Sequence, residues 1–274
     1  MLYRTCRPAP PLDRLIDNFW YWEGEPPPHR KELIMASARM GLLVNLAEDQ
    51  LRHYDGEGFN VVRRSPGIAI SGAYERHFAI DAHQPRMMGV QFKPGGTYPF
   101  FAPSARVLCN DHVALEDIWG ADARRLHHRI VEAPTVEAKF RTLADALMAR
   151  MPRTPQRHPA VSLALDRFHR APEGARVGVI AAESGLCRRR FIEVFVEEVG
   201  FTPKLYLRLL RFNRVLDRVY GASEVDWSEI AYLHGYADQP HFNREFREFS
   251  GLTPSQYLAR PGAGAHHAQL VETA

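Results

Sequence analysis

The sequence predicts an α+β protein, with a β-rich, barrel-like N-terminal domain and an all-α C-terminal domain that contains two helix-turn-helix units. Three observations carry this prediction. Short β-branched and aromatic runs, separated by Gly and Pro, fill the first half of the chain. A proline-containing stretch at 151–159 follows them. Beyond that stretch, one pattern of apolar residues, glycine and Thr-Pro occurs twice.

The first half is expected to form several short strands. Their apolar and aromatic runs lie at 18–22, 42–46, 59–62, 67–71, 77–80 and 88–92. Runs of this length between turn residues are typical of a β-barrel or a β-sandwich.

Two helices are expected to follow the strands, over 115–130 and 137–151. In the second, Phe140, Leu143 and Leu147 recur at helical spacing and form an apolar stripe. This stripe has two possible partners: the strands of its own domain, or the same helix of a second copy in a homodimer.

Three prolines interrupt any helix between 151 and 159. Each proline lacks a backbone N–H to donate a hydrogen bond, and it disfavours the helical conformation of the residue before it. We therefore expect one domain over 1–150, a linker over 151–159 and a second domain over 160–260. The remaining residues, 261–274, are small and polar and are expected to be disordered.

The repeat lies between Ile180 and Tyr257. The first copy reads IA at 180–181, then Gly185, Phe191, Phe195, Gly200, Thr-Pro at 202–203 and Tyr206. The second copy has IA at 230–231, then Gly235, Phe242, Phe246, Gly251, Thr-Pro at 253–254 and Tyr257. A short helix, a glycine turn and a second helix form a helix-turn-helix. Two such units in tandem indicate a protein that binds double-stranded DNA.

Seven helices are expected in this second domain. They cover about 160–170, 177–184, 187–199, 202–220, 226–234, 239–249 and 254–259. Each Thr-Pro pair supplies an N-cap threonine and a proline at the first helical position.

The phenylalanines at i and i+4 of each second helix must face inward together, which leaves the opposite face for DNA. The side chains expected there are Arg188, Arg189, Arg190 and Glu193 in the first unit, and Gln239, His241, Asn243 and Arg244 in the second. These residue types recognise base edges. On the connecting helix, Arg208 and Arg211 are expected to contact phosphates.

The charge distribution agrees with this assignment. The whole chain has a net charge of only +3, but residues 187–218 contain eight Lys or Arg against four Asp or Glu, a local charge of +4. A concentration of positive charge on the first unit is what a phosphate backbone requires, although a solvated helix face has the same composition.

Residues 235–257 read GYADQPHFNREFREFSGLTPSQY. This segment closely resembles the signature of the AraC/XylS transcriptional regulators, and the resemblance extends over about 158–260. It implies a seven-helix domain that binds double-stranded promoter DNA, with RNA polymerase as a further possible partner. Within the first unit it assigns base contacts to Arg189 and Glu193, with Arg188 beside them. Glu193 departs from the basic or polar residue often found there. It therefore either accepts a hydrogen bond from cytosine or forms an ion pair with Arg189.

The first domain resembles, less closely, the effector-binding or dimerising domain of such regulators. The resemblance rests on FWYW at 19–22, LVNL at 43–46, GVQFKPGG at 89–96 and LEDIWG at 115–120. It implies a small-molecule effector of unknown identity. We expect an aromatic pocket lined by Trp20, Trp22, Phe92, Tyr98 and Phe100, although each of these is also a candidate core residue.

Two other classes of protein are alternatives to this reading. A cupin-like metal enzyme needs closely spaced ligands, and the histidines at 29, 53, 77, 83 and 112 form no HxH or HExxH motif. We therefore expect no catalytic residue, metal or cofactor. A DNA-binding architectural protein without an effector is the second alternative. The three cysteines form no CxxC, and no run is long enough to cross a bilayer, so a cytoplasmic protein without a membrane partner is expected.

Overall fold

The computed structural model describes residues 2–25, 31–55, 60–82, 84–101, 104–152, 157–260, 262 and 264–270, apart from the side chain of Val62. In chain order the strands are β1 (Leu2–Cys6), β2 (Ile16–Glu23), β3 (Lys31–Ile34), β4 (Gly41–Asn45), β5 (Leu51–Tyr54), β6 (Val61–Ser65), β7 (Ile68–Ser71), β8 (Phe78–Asp81), β9 (Arg86–Phe92), β10 (His112–Ala114) and β11 (His267–Gln269). The helices are α1 (Leu115–Trp119), α2 (Ala121–Glu132), α3 (Val136–Arg150), α4 (Pro159–Arg170), α5 (Val177–Glu183), α6 (Arg188–Val199), α7 (Pro203–Val219), α8 (Trp227–Leu233), α9 (Gln239–Ser250) and α10 (Pro254–Leu258).

The strands form two antiparallel sheets. The first has the order β1-β2-β9-β4-β7-β10, and the second has the order β11-β3-β8-β5-β6. The sheets meet where Leu51 of β5 packs in one cluster with Trp20, Leu43 and Met87 of the first sheet. The barrel-like domain predicted from the sequence is thus built from two sheets, and the predicted α+β class is confirmed.

Helices α1–α3 cover the other face of the first sheet. Alternate residues of β2 and β9, among them Phe19 and Val90, point to this face because side chains alternate along a strand. The predicted stripe of α3, with Phe140, Leu143 and Leu147, is buried in the same core. Its apolar face therefore packs on the strands of its own domain, which is the first of its two possible partners.

The seven helices predicted after the linker are present as α4–α10. Thr202 and Thr253 cap α7 and α10 as expected, and Thr253 forms a capping box with Gln256. The predicted linker lies between α3 and α4, and its residues 153–156 fall outside the described part of the chain. Within the described ranges, no helix combines the length and the apolar character that a bilayer crossing demands.

Two hydrophobic clusters fill the helical part, and they differ in composition. The first contains only buried residues from 160–207, which belong to α4–α7. The second is shared between both halves of the chain. It unites residues near β3, such as Leu33 and Met35, with Phe212, Phe246 and Phe249 of α7 and α9.

The structure corrects the expected disorder of 261–274. His267–Gln269 form β11, which pairs antiparallel with β3 at the edge of the second sheet. Ala268 is fully buried there, so the segment is ordered because it satisfies the free edge of β3 and buries a small apolar side chain. Residues 261, 263 and 271–274 lie outside the described part.

Candidate nucleic-acid interface

The first helix-turn-helix unit consists of α5 and α6. Gly185 lies between them at φ 72°, a left-handed conformation that favours glycine and turns the chain sharply. Phe191 and Phe195 of α6 are fully buried, and Phe195 packs edge-on against Phe168 of α4 at 5.9 Å between ring centroids. The predicted i, i+4 pair therefore fixes the inward face of α6.

The outward face of α6 begins with three consecutive arginines. Arg188, Arg189 and Arg190 occupy its first turn, all exposed, and the Arg189 side chain is 90% accessible. Glu193 accepts hydrogen bonds from Arg189 Nε at 3.0 Å and from Arg190 at 3.4 Å. These two bonds hold the pKa of Glu193 below its ordinary value. Glu193 is therefore a paired carboxylate that orients two arginines.

The second unit consists of α8 and α9, with Gly235 at φ 73° between them. Asp226 and Asp238 cap the two helices by accepting from backbone N–H groups of their first turns. Phe242 and Phe246 are fully buried beneath α9.

The outward face of α9 differs in part from the expected one. Asn243 and Arg244 are exposed, and the exposed Gln239 accepts from the Ser228 hydroxyl at 3.1 Å. His241 is only half-exposed: its ring lies 5.6 Å from that of Tyr236, and Nε2 lies 3.9 Å from the carboxylate of Glu245. Among the four residues expected on this face, Asn243 and Arg244 are the most available.

The arginines of α7 have different contacts from those expected. Arg208 pairs with Glu245 at 2.7 Å and with Glu248 at 2.6 Å, and its guanidinium lies over the Phe249 ring. Arg211 donates to the carbonyl oxygens of Pro172 and Glu173. Both guanidinium groups are thus held by the protein itself, which corrects the expectation that they are free for phosphates. The sequence showed the charges but not the acids and carbonyls that face them.

The five aromatic residues expected to line one effector pocket lie in different places. Phe92 and Phe100 contact each other at 5.7 Å between centroids inside the core under α1–α3. Trp20 lies on the opposite face of the sheet, where its indole ring covers Gly89. The contact is so close that a Cβ atom on residue 89 would lie 2.8 Å from the indole. Tyr98 is 44% exposed, and Trp22 is half-buried near the end of β2. The structure therefore does not bring these residues together.

A cleft that the sequence did not indicate lies at the end of the second sheet. It measures about 290 Å³ and is lined by His53, Tyr54, Asp55, Tyr74, Glu75, Arg76, His77, Phe78 and Asn110. Behind it, the Tyr74 hydroxyl lies 2.6 Å from Nδ1 of His112 and 3.4 Å from Nδ1 of His53. These side chains come from segments that lie far apart in the sequence, so no spacing along the chain could have grouped them.

The buried polar cluster behind the cleft is uncharged. Burial lowers the pKa of His112 to about 3, and the nearby His53 and Arg63 act in the same direction. Burial likewise lowers the pKa of His53 and raises that of the Tyr74 hydroxyl. Within the described residues, no three His, Cys, Asp or Glu side chains are grouped closely enough to hold a metal ion. Two of the histidines considered as ligands, at 29 and 83, lie outside the described part.

Comparison with known proteins adds two family matches. A model described as "Helix-turn-helix domain" matches residues 180–260, and one described as "Domain of unknown function (DUF6597)" matches residues 4–114. The first match spans both units found in the fold.

Several solved structures are similar to this chain. ToxT from Vibrio cholerae is 11% identical, over 94% of this chain and 98% of that chain, with a TM-score of 0.46. A regulator with an AraC-type DNA-binding domain from Chromobacterium violaceum is 26% identical, over 38% of this chain and 96% of its own, with a TM-score of 0.33. The DNA-binding domain of AdpA was solved in complex with a target DNA. It is 24% identical, over 37% of this chain and 90% of its own, with a TM-score of 0.33.

The matched helix-turn-helix domain contains the signature segment at 235–257 and both buried phenylalanine pairs. Proteins of this type are DNA-binding regulators and not enzymes. Double-stranded DNA is accordingly the partner of this domain. Residues 180–260 are therefore a helix-turn-helix domain of the AraC type, and the chain is a DNA-binding transcriptional regulator.

Proposed function

We propose that α6 is the main base-reading helix and that Arg189 makes its specific contact. The observation that carries this proposal is the placement of three exposed arginines in the first turn of α6. The N-terminus of a helix carries partial positive charge, so cations there destabilise the helix by about 0.3–1 kcal/mol each. An anionic partner offsets both the arginines and the helix dipole, and a DNA phosphate is such a partner.

The division of roles within α6 follows from its ion pairs. Arg189 projects furthest into solvent and is held at its base by Glu193, so it suits a bidentate contact with guanine. Arg188 and Arg190 flank it and are assigned to phosphates. Glu193 is assigned to orienting these arginines, because its carboxylate is already paired.

In the second unit, Asn243 and Arg244 are assigned to base edges, with Gln239 beside them. Their exposure and residue types support this assignment, since Asn and Gln pair with adenine and Arg pairs with guanine. His241 is assigned to packing on Tyr236, where it supports the first turn of α9.

The N-terminal part, 1–150, is proposed to be the sensor domain, with its effector in the cleft lined by His53, Tyr74 and Phe78. A cleft of about 290 Å³ is near the lower limit for a small-molecule site. Its aromatic side chains favour a small ring compound, and Asp55, Glu75 and Arg76 in the same lining favour polar substituents on that ring. RNA polymerase and a second copy of the chain are further proposed partners, and the cytoplasm is the proposed compartment.

The first experiment is selection of genomic fragments bound by the purified protein, repeated at two salt concentrations. We expect a few promoters that share a bipartite motif with half-sites about ten base pairs apart, since successive major-groove contacts on one face are separated by about one helical turn. Binding that is strong at low salt but has no common motif would instead favour the architectural function.

A further inference from the structure

The second helix-turn-helix unit is built into the N-terminal part, whereas the first has a core of its own. The buried residues of the first unit's cluster all lie within 160–207, and the contribution of the N-terminal half is the partly buried Ala38 packed against them. The cluster beneath the second unit contains Leu33, Met35 and Ala36 from the strand-rich half beside Phe246 and Phe249 of α9. The two units therefore depend differently on the domain that senses the effector.

Backbone and side-chain hydrogen bonds reinforce this shared core. The amide of Asn213 on α7 donates to the carbonyl of Ala36 at 2.8 Å, and the bond is buried. The Ala36 N–H donates in turn to the carbonyl of Phe249, at 3.1 Å. At the end of α9, the ring of His77 approaches Gly251 so closely that a Cβ there would lie 2.5 Å from it. His77 also lines the proposed effector cleft.

Strand β11 adds a further connection between the second unit and the N-terminal part. After α10 the chain turns back, and the Tyr257 hydroxyl donates to the carbonyl of Ala265 at 2.6 Å. The strand then pairs with β3, with Ala268 opposite Leu33. His267 lies 2.7 Å from the carboxylate of Glu32, whose side chain is only 6% exposed. These contacts connect the end of the second unit directly to the second sheet.

The first unit also contacts the N-terminal part, through the end of α6. The end of α6 approaches a 3-10 turn at Ala105–Leu108, where an added Cβ on Gly200 would lie 2.4 Å from the Cys109 sulfur. Arg157 donates to the carbonyl of Pro94 at 2.6 Å. Neither contact contributes to the buried core of the first unit, whose recognition turn at Arg188–Arg190 lies at the other end of α6.

We propose that the sensor domain controls the order of the second helix-turn-helix unit and not that of the first. Strand β11 is the element that connects the second unit to the sensor domain. The first unit then supplies DNA affinity that is independent of the sensor. The second unit is ordered only while its core is completed by β3 and its neighbours. This inference extends the proposed effector control by assigning it to one of the two units.

The test uses the full chain with Ala268→Glu, which places a charge at a fully buried position of β11. Gln269→Ala, on the next residue of the same strand and half-exposed, is the matched control. Amide hydrogen exchange is measured without DNA, so the result is independent of whether an operator exists. We expect exchange in α8–α10 and β3 to accelerate about tenfold or more, while exchange in α5 and α6 stays within about twofold. The control should behave like the parent protein.

Two results would overturn the proposal. Faster exchange in β3 with none in α8–α10 would mean that β11 does not order the second unit. Equal acceleration in both units would mean that control is not selective. If Ala268→Glu fails to fold, His267→Ala decides the question, because it removes only the contact with Glu32. It should give the same pattern at smaller amplitude, and no difference between the units would overturn the proposal.

A second readout concerns DNA. On a bipartite site, footprinting of Ala268→Glu should show that the half-site of the first unit remains protected. Protection of the second unit's half-site should be about tenfold weaker, because the detached unit must become ordered when it binds. Unchanged or stronger protection of the second half-site would overturn the proposal. Absence of binding by the parent protein would instead contradict the DNA-reading assignments, and the exchange data would still decide the role of β11.

Discussion

Glu193 lies one helical turn after Arg189 and accepts a hydrogen bond from its Nε at 3.0 Å, while also pairing with Arg190. One carboxylate thus neutralises part of the positive charge of the three consecutive arginines at 188–190. Replacing it with Gln should raise affinity for any DNA and steepen the salt dependence by about one phosphate equivalent. Binding titrations on random DNA at several salt concentrations measure both effects.

The control for that variant is Glu197→Gln, which makes the same charge change on the same helix. Glu197 is exposed and lies one turn further from the arginines. Its effect should be clearly smaller. Equal effects would show that overall charge, and not the pairing with the arginines, restrains binding.

Replacing Arg189 with Ala should weaken binding to the selected site by about 1–3 kcal/mol and relax preference at one base pair. The reason is the loss of a bidentate contact to a base edge. Arg170→Ala, an exposed arginine on α4 that also pairs with a carboxylate, is the control. Equal losses on specific and random DNA would contradict the base-reading role of Arg189.

Replacing Arg208 with Ala should lower the free energy of unfolding by about 3 kcal/mol, because it leaves the buried carboxylate of Glu245 without its main partner. The salt dependence of DNA binding should remain unchanged, since the Arg208 guanidinium is already paired with Glu245 and Glu248 of α9. Urea unfolding and salt titrations measure the two quantities. Arg218→Ala, exposed on the same helix, should leave stability nearly unaltered. A flattened salt dependence for Arg208→Ala would restore its assignment to a phosphate.

Stability should fall as the pH is lowered below about 6.5, the ordinary pKa of histidine. His112 stays neutral in the folded protein, where its pKa is lowered to about 3, but it takes up a proton when the chain unfolds. The unfolded state therefore binds more protons between these two values, and His112 alone should contribute a loss of about 1 kcal/mol at pH 5.5.

His53, His169 and His234 also have lowered pKa values and act in the same direction, while the buried Glu198 acts in the opposite one. Comparison with His112→Gln separates the contribution of His112. Unfolding free energies at pH 7.5 and 5.5 should differ less in that variant. An equal difference in both proteins would show that His112 is not responsible.

The helical part could be predicted closely because its signals are local. A Thr-Pro cap, a glycine turn and a pair of phenylalanines each determine structure within a few residues, and α4–α10 begin and end near their predicted limits. In the first half, β1, β3, β5 and β10 were not predicted. They are three to five residues long. Strands β3, β5 and β10 pair with strands that lie far away in the sequence, while β1 pairs with β2 at the edge of the first sheet.

The candidate site divides in the same way. The identity of the residues on α6 and α9 followed from helical periodicity, but their contacts did not. The acids that hold Arg208 lie 37 and 40 residues away on another helix. The effector residues were wrong as a group, because Trp20 and Phe92 project to opposite faces of one sheet. Which face a residue occupies depends on strand register, and β2 contains an irregularity between Ile16 and Asn18 that sequence alone does not reveal.

Strand β11 also affects how the protein behaves in concentrated solution. A sheet edge with free N–H and C=O groups recruits strands from other molecules, and this is a common start to aggregation. Pairing with β11 occupies the outer edge of β3 from Glu32 to Ile34. Any condition that detaches β11 therefore exposes the unpaired backbone groups of β3 together with the apolar side chains of the shared core. Loss of regulation and loss of solubility should consequently appear together in variants of this segment.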